Sequence, residues 1–308
     1  MPDDDDIMAP DDDVHAMAPA DEAYAVGPAD EAVTSDWDDF PAGATLADGT
    51  YAIGELLHGN RDHAIYHGND IYSGTSVLIT LTRPQTMLLD DVARELTLPY
   101  DTISPLRYLG PLLSPYPGQP LHHALVEDRP PGTPLEDIAE LDLKDMLDVC
   151  LQIAERAQVV HHGGHVVGGI RSELVYVERI GGDLTVTGLV PRAERFARTA
   201  VPPEDRDPLP LFDMVYSAPE ILVWQPPRPA SDVFSLCVLL AMRTGGGHPF
   251  AGEEAEEQVS AILQGRRWPW TGLPELGAIV DHGLTHDPEA RLSLDELIAA
   301  LRGLMRSR

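Results

Sequence analysis

Hydrophobic and polar positions change rhythm twice along this 308-residue chain. Up to about residue 45, large apolar residues are scattered among Asp, Ala and Pro without a period, so no face accumulates for burial. Strand-length apolar runs then take over at Tyr51–Leu57, Ala64–His67, Val77–Leu81 and His123–Glu127, with Ser73-Gly74 placed to turn the chain between two of them. From Leu141 the spacing is helical: Leu143, Met146, Cys150, Ile153, Ala157 and Val160 recur three or four apart. A second apolar helix is predicted from a cap at Ser231 through Met242. Ser293-Leu-Asp-Glu296 reads as a capping box that opens a last helix, with Leu294, Leu297, Ile298, Leu301 and Leu304 on one face. Strands first and helices later predict an α+β chain, with a small β-rich N-lobe and a larger helical C-lobe.

Charge separates the first segment further. The formal net charge is −30, and residues 1–50 hold 15 acids with no Lys or Arg, half of the total in a sixth of the chain. The segment also repeats: APDDDVHAM, APADEAYAV and GPADEAVTS follow one another, with Pro10, Pro19 and Pro28 nine apart. Proline in every copy breaks a helix, and nine residues are too few for a solenoid unit. Residues 1–45 are therefore expected to be a disordered acidic tail, either a solubilising arm or one that binds a partner. Trp37 and Phe40, set among aspartates, are candidate docking residues.

The same charge balance argues against nucleic acid and anionic membrane, which recruit basic surfaces. No basic n-region or bilayer-length apolar run is present, and Cys150 and Cys237 fall in apolar helical patterns as free thiols, so a cytoplasmic setting is expected. Lys144 is the only lysine, and the arginine- and alanine-rich composition points to a high-GC bacterial source.

Several motifs in one order carry a resemblance. Ser217-Ala-Pro-Glu220, Ser231-Asp-Val-Phe-Ser-Leu236, Arg243-Thr-Gly245 with His248-Pro-Phe250, and Asp287-Pro-Glu-Ala-Arg291 are similar to the large-lobe motifs of the eukaryotic-type Ser/Thr protein kinase fold. Val77-Leu-Ile-Thr80 takes the place of the Val-Ala-Ile-Lys strand, and Leu125-Val-Glu-Asp128 with Pro131-Gly132 that of the hinge. The resemblance covers about 46–306 and implies an N-lobe at 46–127, a hinge at 128–135 and a C-lobe at 136–306. It implies that Asp232 anchors the catalytic-loop backbone, and that Glu220 and Arg291 form a partly buried structural ion pair.

Phosphoryl transfer needs amides over the phosphates, a lysine, metal-binding carboxylate and amide groups, and a base aspartate. The positions that the resemblance assigns to these hold other chemistry. The glycine loop is His58-Gly-Asn-Arg-Asp-His63, with His58, Asn60 and His63 at the three glycine positions. The lysine position is Thr80, and Leu78 would push into the adenine pocket. His-Arg-Asp is replaced by Val167, Gly168 and Gly169. The magnesium asparagine is Leu174, and the Asp-Phe-Gly motif begins at Gly188 and ends at Val190.

The losses fall on charge-handling positions while the scaffold motifs stay. The chain thus resembles a pseudokinase, with no catalytic residue, no cofactor and no bound ATP or magnesium expected. A cleft partly filled by Leu78, Leu174, Leu189 and Val190 is predicted. The function expected is that of a scaffold or regulator with a protein partner. A nucleotide or metabolite sensor and an enzyme of altered chemistry remain alternatives. In the activation segment, Arg192, Arg195 and Arg198 form the most basic stretch and are candidate interaction residues. His161-His-Gly-Gly-His165 is read as a structural helix end ahead of a metal site.

Overall fold

The computed structural model describes residues 43–59, 63–82, 106–112, 122–139, 141–190, 214–223 and 225–307. Six strands, β1 (Thr45–Leu46), β2 (Tyr51–Gly59), β3 (His63–Asp70), β4 (Ser76–Thr82), β5 (Leu106–Leu112) and β6 (His122–Asp128), form one antiparallel sheet. Their order is β1-β2-β3-β4-β6-β5. The period-2 alternation divides β4 cleanly. Val77, Ile79 and Leu81 join Ile53, Tyr66, Ala124 and Val126 in a core on one face. Leu78 and Thr80 point to the other face and are also buried.

At the β3–β4 turn, the Asp70 carboxylate accepts from the N–H groups of Tyr72 and Ser73, which fixes the hairpin around Ser73-Gly74. The sequence pattern misses β5, whose Gly110 and Pro111 dilute the apolar run.

The second half is α+β with helices dominant. A small sheet holds β7 (Thr133–Pro134), β8 (Val175–Ile180) and β9 (Asp183–Leu189). The helices are α1 (Leu143–His162), α2 (Pro219–Leu222), α3 (Pro229–Thr244), α4 (Ala255–Gln264), α5 (Pro274–Gly283) and α6 (Leu294–Arg306). Helix α1 starts where Asp142 accepts from the Asp145 N–H, and α6 starts at the Ser293–Glu296 capping box.

Helix α3 begins earlier than the sequence pattern suggests. Pro229 occupies its first turn, where the missing N–H costs nothing, and Ser231 sits in the third position. From Ser231 to Ala241 every residue of α3 is buried, so it is the central element of a second core shared with α1, α5 and α6. Cys150 and Cys237 are buried free thiols in that core, and burial pushes both well above the ordinary thiol range. Among the described residues, no helix is long and apolar enough to cross a membrane.

Two polar contacts fasten the small sheet. The Gln152 side chain donates to the Leu184 carbonyl and accepts from the Val186 N–H, so an α1 amide satisfies the free edge of β9. On the other side, the segment after β6 lies so close to β8 that a Cβ on Gly132 would stand 2.2 Å from the Val177 carbonyl oxygen. Gly132 also has φ of +90°, where L side chains are strained. The Gly132→Ala variant is expected to lose more than about 1 kcal/mol of stability in chemical denaturation, from the left-handed conformation alone.

Candidate functional site

The second face of the six-stranded sheet carries the site. Cross-strand pairs align His67, Leu78 and Glu127 in one row and Ile65, Thr80 and Leu125 in the next. Leu78 meets Tyr176 of β8 and Val190 after β9, with half-buried Leu174 against them. Of the four apolar side chains expected to fill the cleft, Leu78, Val190 and Leu174 come together in this cluster. Leu189 instead joins the larger helical core.

Thr80, which the sequence reading set at the lysine position of the kinase resemblance, is 3% exposed and offers a neutral hydroxyl. The Val190 N–H bonds the Leu174 carbonyl at 2.9 Å, fixing the end of β9 beside the Ser172–Leu174 turn. Thr187, beside Gly188, donates its hydroxyl to the Pro131 carbonyl at 2.5 Å and clamps β9 to the segment after β6.

Beneath this lies the loop at Val167, Gly168 and Gly169. The Asp232 carboxylate accepts from the Val167 and Gly168 N–H groups, each at 2.8 Å, and contacts His161 Nε2 at 2.8 Å. Asp232 therefore holds the backbone segment to which the sequence assigned it, and His161 is occupied there. Gly168 and Gly169 have φ of +68° and +82°. The loop path depends on bare glycine at both positions, since L side chains are strained in that region. Among the described residues, no cluster of three His, Cys, Asp or Glu side chains is arranged to hold a metal.

Glu220 and Arg291 form a bidentate pair at 2.9 and 3.1 Å. Their side chains are 3% and 0% exposed, so the pair is fully buried where the sequence reading expected partial burial. The cause is α3, buried on all sides from Ser231 to Ala241, whose Phe234 ring lies over the Arg291 guanidinium. The Ser231 hydroxyl adds a 2.7 Å bond to Glu220. Burial alone would raise the Glu220 carboxyl. The bonds from Arg291 and Ser231, with the Arg291 charge, outweigh it and hold the carboxyl below its ordinary range.

The glycine-loop ends lie in strands, His58 paired with Ile65 and His63 with Thr82. Asn60, Trp37, Phe40, Arg192, Arg195 and Arg198, and the acidic tail up to residue 42, lie outside the described residues.

Three residues here escaped the sequence reading. Tyr176 supplies the largest side chain of the cleft cluster, and the Arg129 guanidinium lies 5.7 Å from its ring. Glu127, on the cleft face of β6, is 3% exposed, and burial pushes its carboxyl up to about 8. Period-2 parity from Leu125 places Glu127 inward, a signal that its position in the hinge motif concealed.

No family model matches the chain. Over 88 residues it is 38% identical to calcium-dependent protein kinase 22 of Oryza sativa subsp. japonica. That stretch is 27% of this chain and 15% of the rice protein, so the similarity spans a small part of the relative's length.

Two measurements check the electrostatics. Arg291→Met leaves Glu220 buried without its partner and is expected to cost about 3–5 kcal/mol in denaturant unfolding. Glu127 has a raised folded-state pKa, so its contribution is full below its ordinary value of about 4.5. That contribution falls by about 1.4 kcal/mol per pH unit towards 8. Glu127→Gln is expected to flatten that loss in unfolding titrations between pH 5 and 9, with the variant more stable than the parent at the alkaline end.

Proposed function

We propose that the chain is a catalytically silent, protein-kinase-like module, a pseudokinase, that works as a scaffold or regulator by binding another protein. The observation that carries this reading is the cleft cluster of Leu78, Tyr176 and Val190. It joins the six-stranded sheet to the helical half through apolar side chains, on the face to which the kinase resemblance would assign the adenine pocket.

The chemistry of the surrounding positions supports the same reading. Thr80 cannot supply the charge that holds phosphates, Gly169 cannot accept a proton, and Leu174 and Gly188 offer no side-chain oxygen to magnesium. The strand order of the six-stranded sheet, the Asp232-held loop and the Glu220–Arg291 pair fit a bilobal kinase-like architecture. The partial similarity to a plant protein kinase points the same way. The hydrogen bond from Thr187 to Pro131 and the dry Leu78 contact couple the two halves, which suits a rigid binding surface better than a cycle of opening and closing.

Thermal unfolding with and without millimolar ATP, each with and without Mg²⁺, tests the reading. A ligand at ~100 times its dissociation constant adds about 2.7 kcal/mol. No shift is expected in any arm. A saturable shift without Mg²⁺ would replace the scaffold reading with a nucleotide sensor. A shift that requires Mg²⁺, accompanied by transfer of labelled phosphate, would overturn silence altogether.

A further inference from the structure

Two tryptophans lie two residues apart after α4, and the fold treats them differently. The Trp270 indole rests on glycines: a Cβ on Gly277 would stand 2.4 Å from its ring, and one on Gly272 2.8 Å. Its Nε1 donates to the Leu273 carbonyl at 2.8 Å. Trp270 is thus built into the body of the protein. Trp268 is 56% exposed.

Its backbone is not loose. The Trp268 N–H bonds the Pro249 carbonyl at 2.9 Å, Ala251 N–H bonds the Arg266 carbonyl at 3.0 Å, and Phe250 bridges Arg267 as an antiparallel pair. An indole is therefore held outward on a short, fixed ladder.

Open space lies on both sides of it. One groove, about 370 Å³, has an apolar wall of Trp268, Trp270, Pro249, Pro269 and Val280 and a polar one that includes His248, Gln258 and Thr271. Its charged pair, Arg267 and Asp281, is already joined at 2.8 Å. The other groove, about 580 Å³, is lined by Trp268 and by Glu253, Glu256 and Glu257. Glu257 is partly engaged, since its carboxylate accepts from the Glu253 N–H at 2.9 Å. Glu256 and Glu257 also suit the first turn of α4. Glu253 comes just before the cap residue Glu254, and the three acids share one groove with the Trp268 indole. Arg266, on the same wall, is turned towards Gln264.

We propose that this surface docks a basic, extended segment of a partner protein. An arginine or lysine lies over the Trp268 face, beside Glu253, Glu256 and Glu257, and a neighbouring apolar residue fills the groove walled by Trp270 and Pro269. Tryptophan is the strongest aromatic partner for a cation, and an exposed indole on a fixed backbone between two grooves is the kind of side chain that dominates interface energies. The acidic wall selects charge and speeds encounter, helped by the net charge of −30 on the whole chain. This deepens the binding-module reading and rests on it for the existence of a partner, though not for the location of the surface.

The test is fluorescence anisotropy on the full chain, with labelled acetyl-Arg-Leu-Pro-Arg-Leu-Pro-amide and its counterpart with Glu in place of Arg. The basic peptide is expected to bind saturably below about 1 mM, more weakly as salt rises, and the acidic one not at all. Trp268→Ala should weaken binding at least about tenfold, and Glu256→Gln by a smaller factor, with thermal unfolding of both variants unchanged. Equal binding to parent and Trp268→Ala would mean diffuse attraction to an acidic chain and would overturn the proposal. So would no binding at about 1 mM in low salt, the limit of a weak interface. Self-association in ultracentrifugation that disappears in Trp268→Ala, without peptide binding, would assign the surface to a second copy instead. Labelled-phosphate transfer is followed on the same samples. Turnover would sink the silent-module reading while leaving the docking result to stand or fall on its own.

Discussion

The guanidinium of Arg291 sits under the first turn of α3, and the helical half is arranged around it. Arginine has five N–H donors and no way to shed its charge. Here all five are met: two by Glu220, and the others by the carbonyls of Ala230, Thr285 and His286. The Phe234 ring covers it at 5.0 Å. A charge so deeply buried is tolerable only when every donor is met, so α2, the start of α3 and the turn after α5 must converge on one point together. The pair thus acts as a positional constraint more than as a source of net stability.

One residue past Ser231, the same helix presents Asp232. Because α3 is fixed by Arg291, the Asp232 carboxylate has a fixed place, and so does the loop whose N–H groups it accepts. That loop leads through the Ser172–Leu174 turn into β8, where Tyr176 reaches the sheet. A chain of short-range contacts thus runs from a buried ion pair to the contact between the two halves. None of its links needs a substrate or a metal to be complete.

At that contact Leu78, Tyr176 and Val190 are buried against one another, and the two halves meet through apolar side chains. On this face burial pushes the Glu127 carboxyl up to about 8, which favours its neutral form near pH 7. The Arg129 guanidinium lies over the Tyr176 ring at the edge of this apolar junction. The exposed Trp268, on its fixed ladder, belongs to the outer surface.

Much of this was legible in the residues. Period-2 runs located β2, β3, β4 and β6. Helical spacing located α1, α3 and α6. Motif order put Glu220, Asp232 and Arg291 in their relations, and a single lysine in the chain constrained the chemistry in advance. These are local properties, fixed by which side chains repeat along one stretch of backbone. What stayed hidden depends on which elements meet. Full burial of the Glu220–Arg291 pair needs three main-chain carbonyls that no side-chain pattern reports. The start of α3 at Pro229 puts Ser231 in the third position, where its hydroxyl accepts from the Arg228 N–H and donates to Glu220. The neutral state of Glu127, the part of Tyr176 in closing the cleft, and the difference between Trp268 and Trp270 all come from what packs against them. Periodicity tells a side chain which face of its own element it occupies. Only the tertiary structure decides whether that face meets carbonyls, another core, or water.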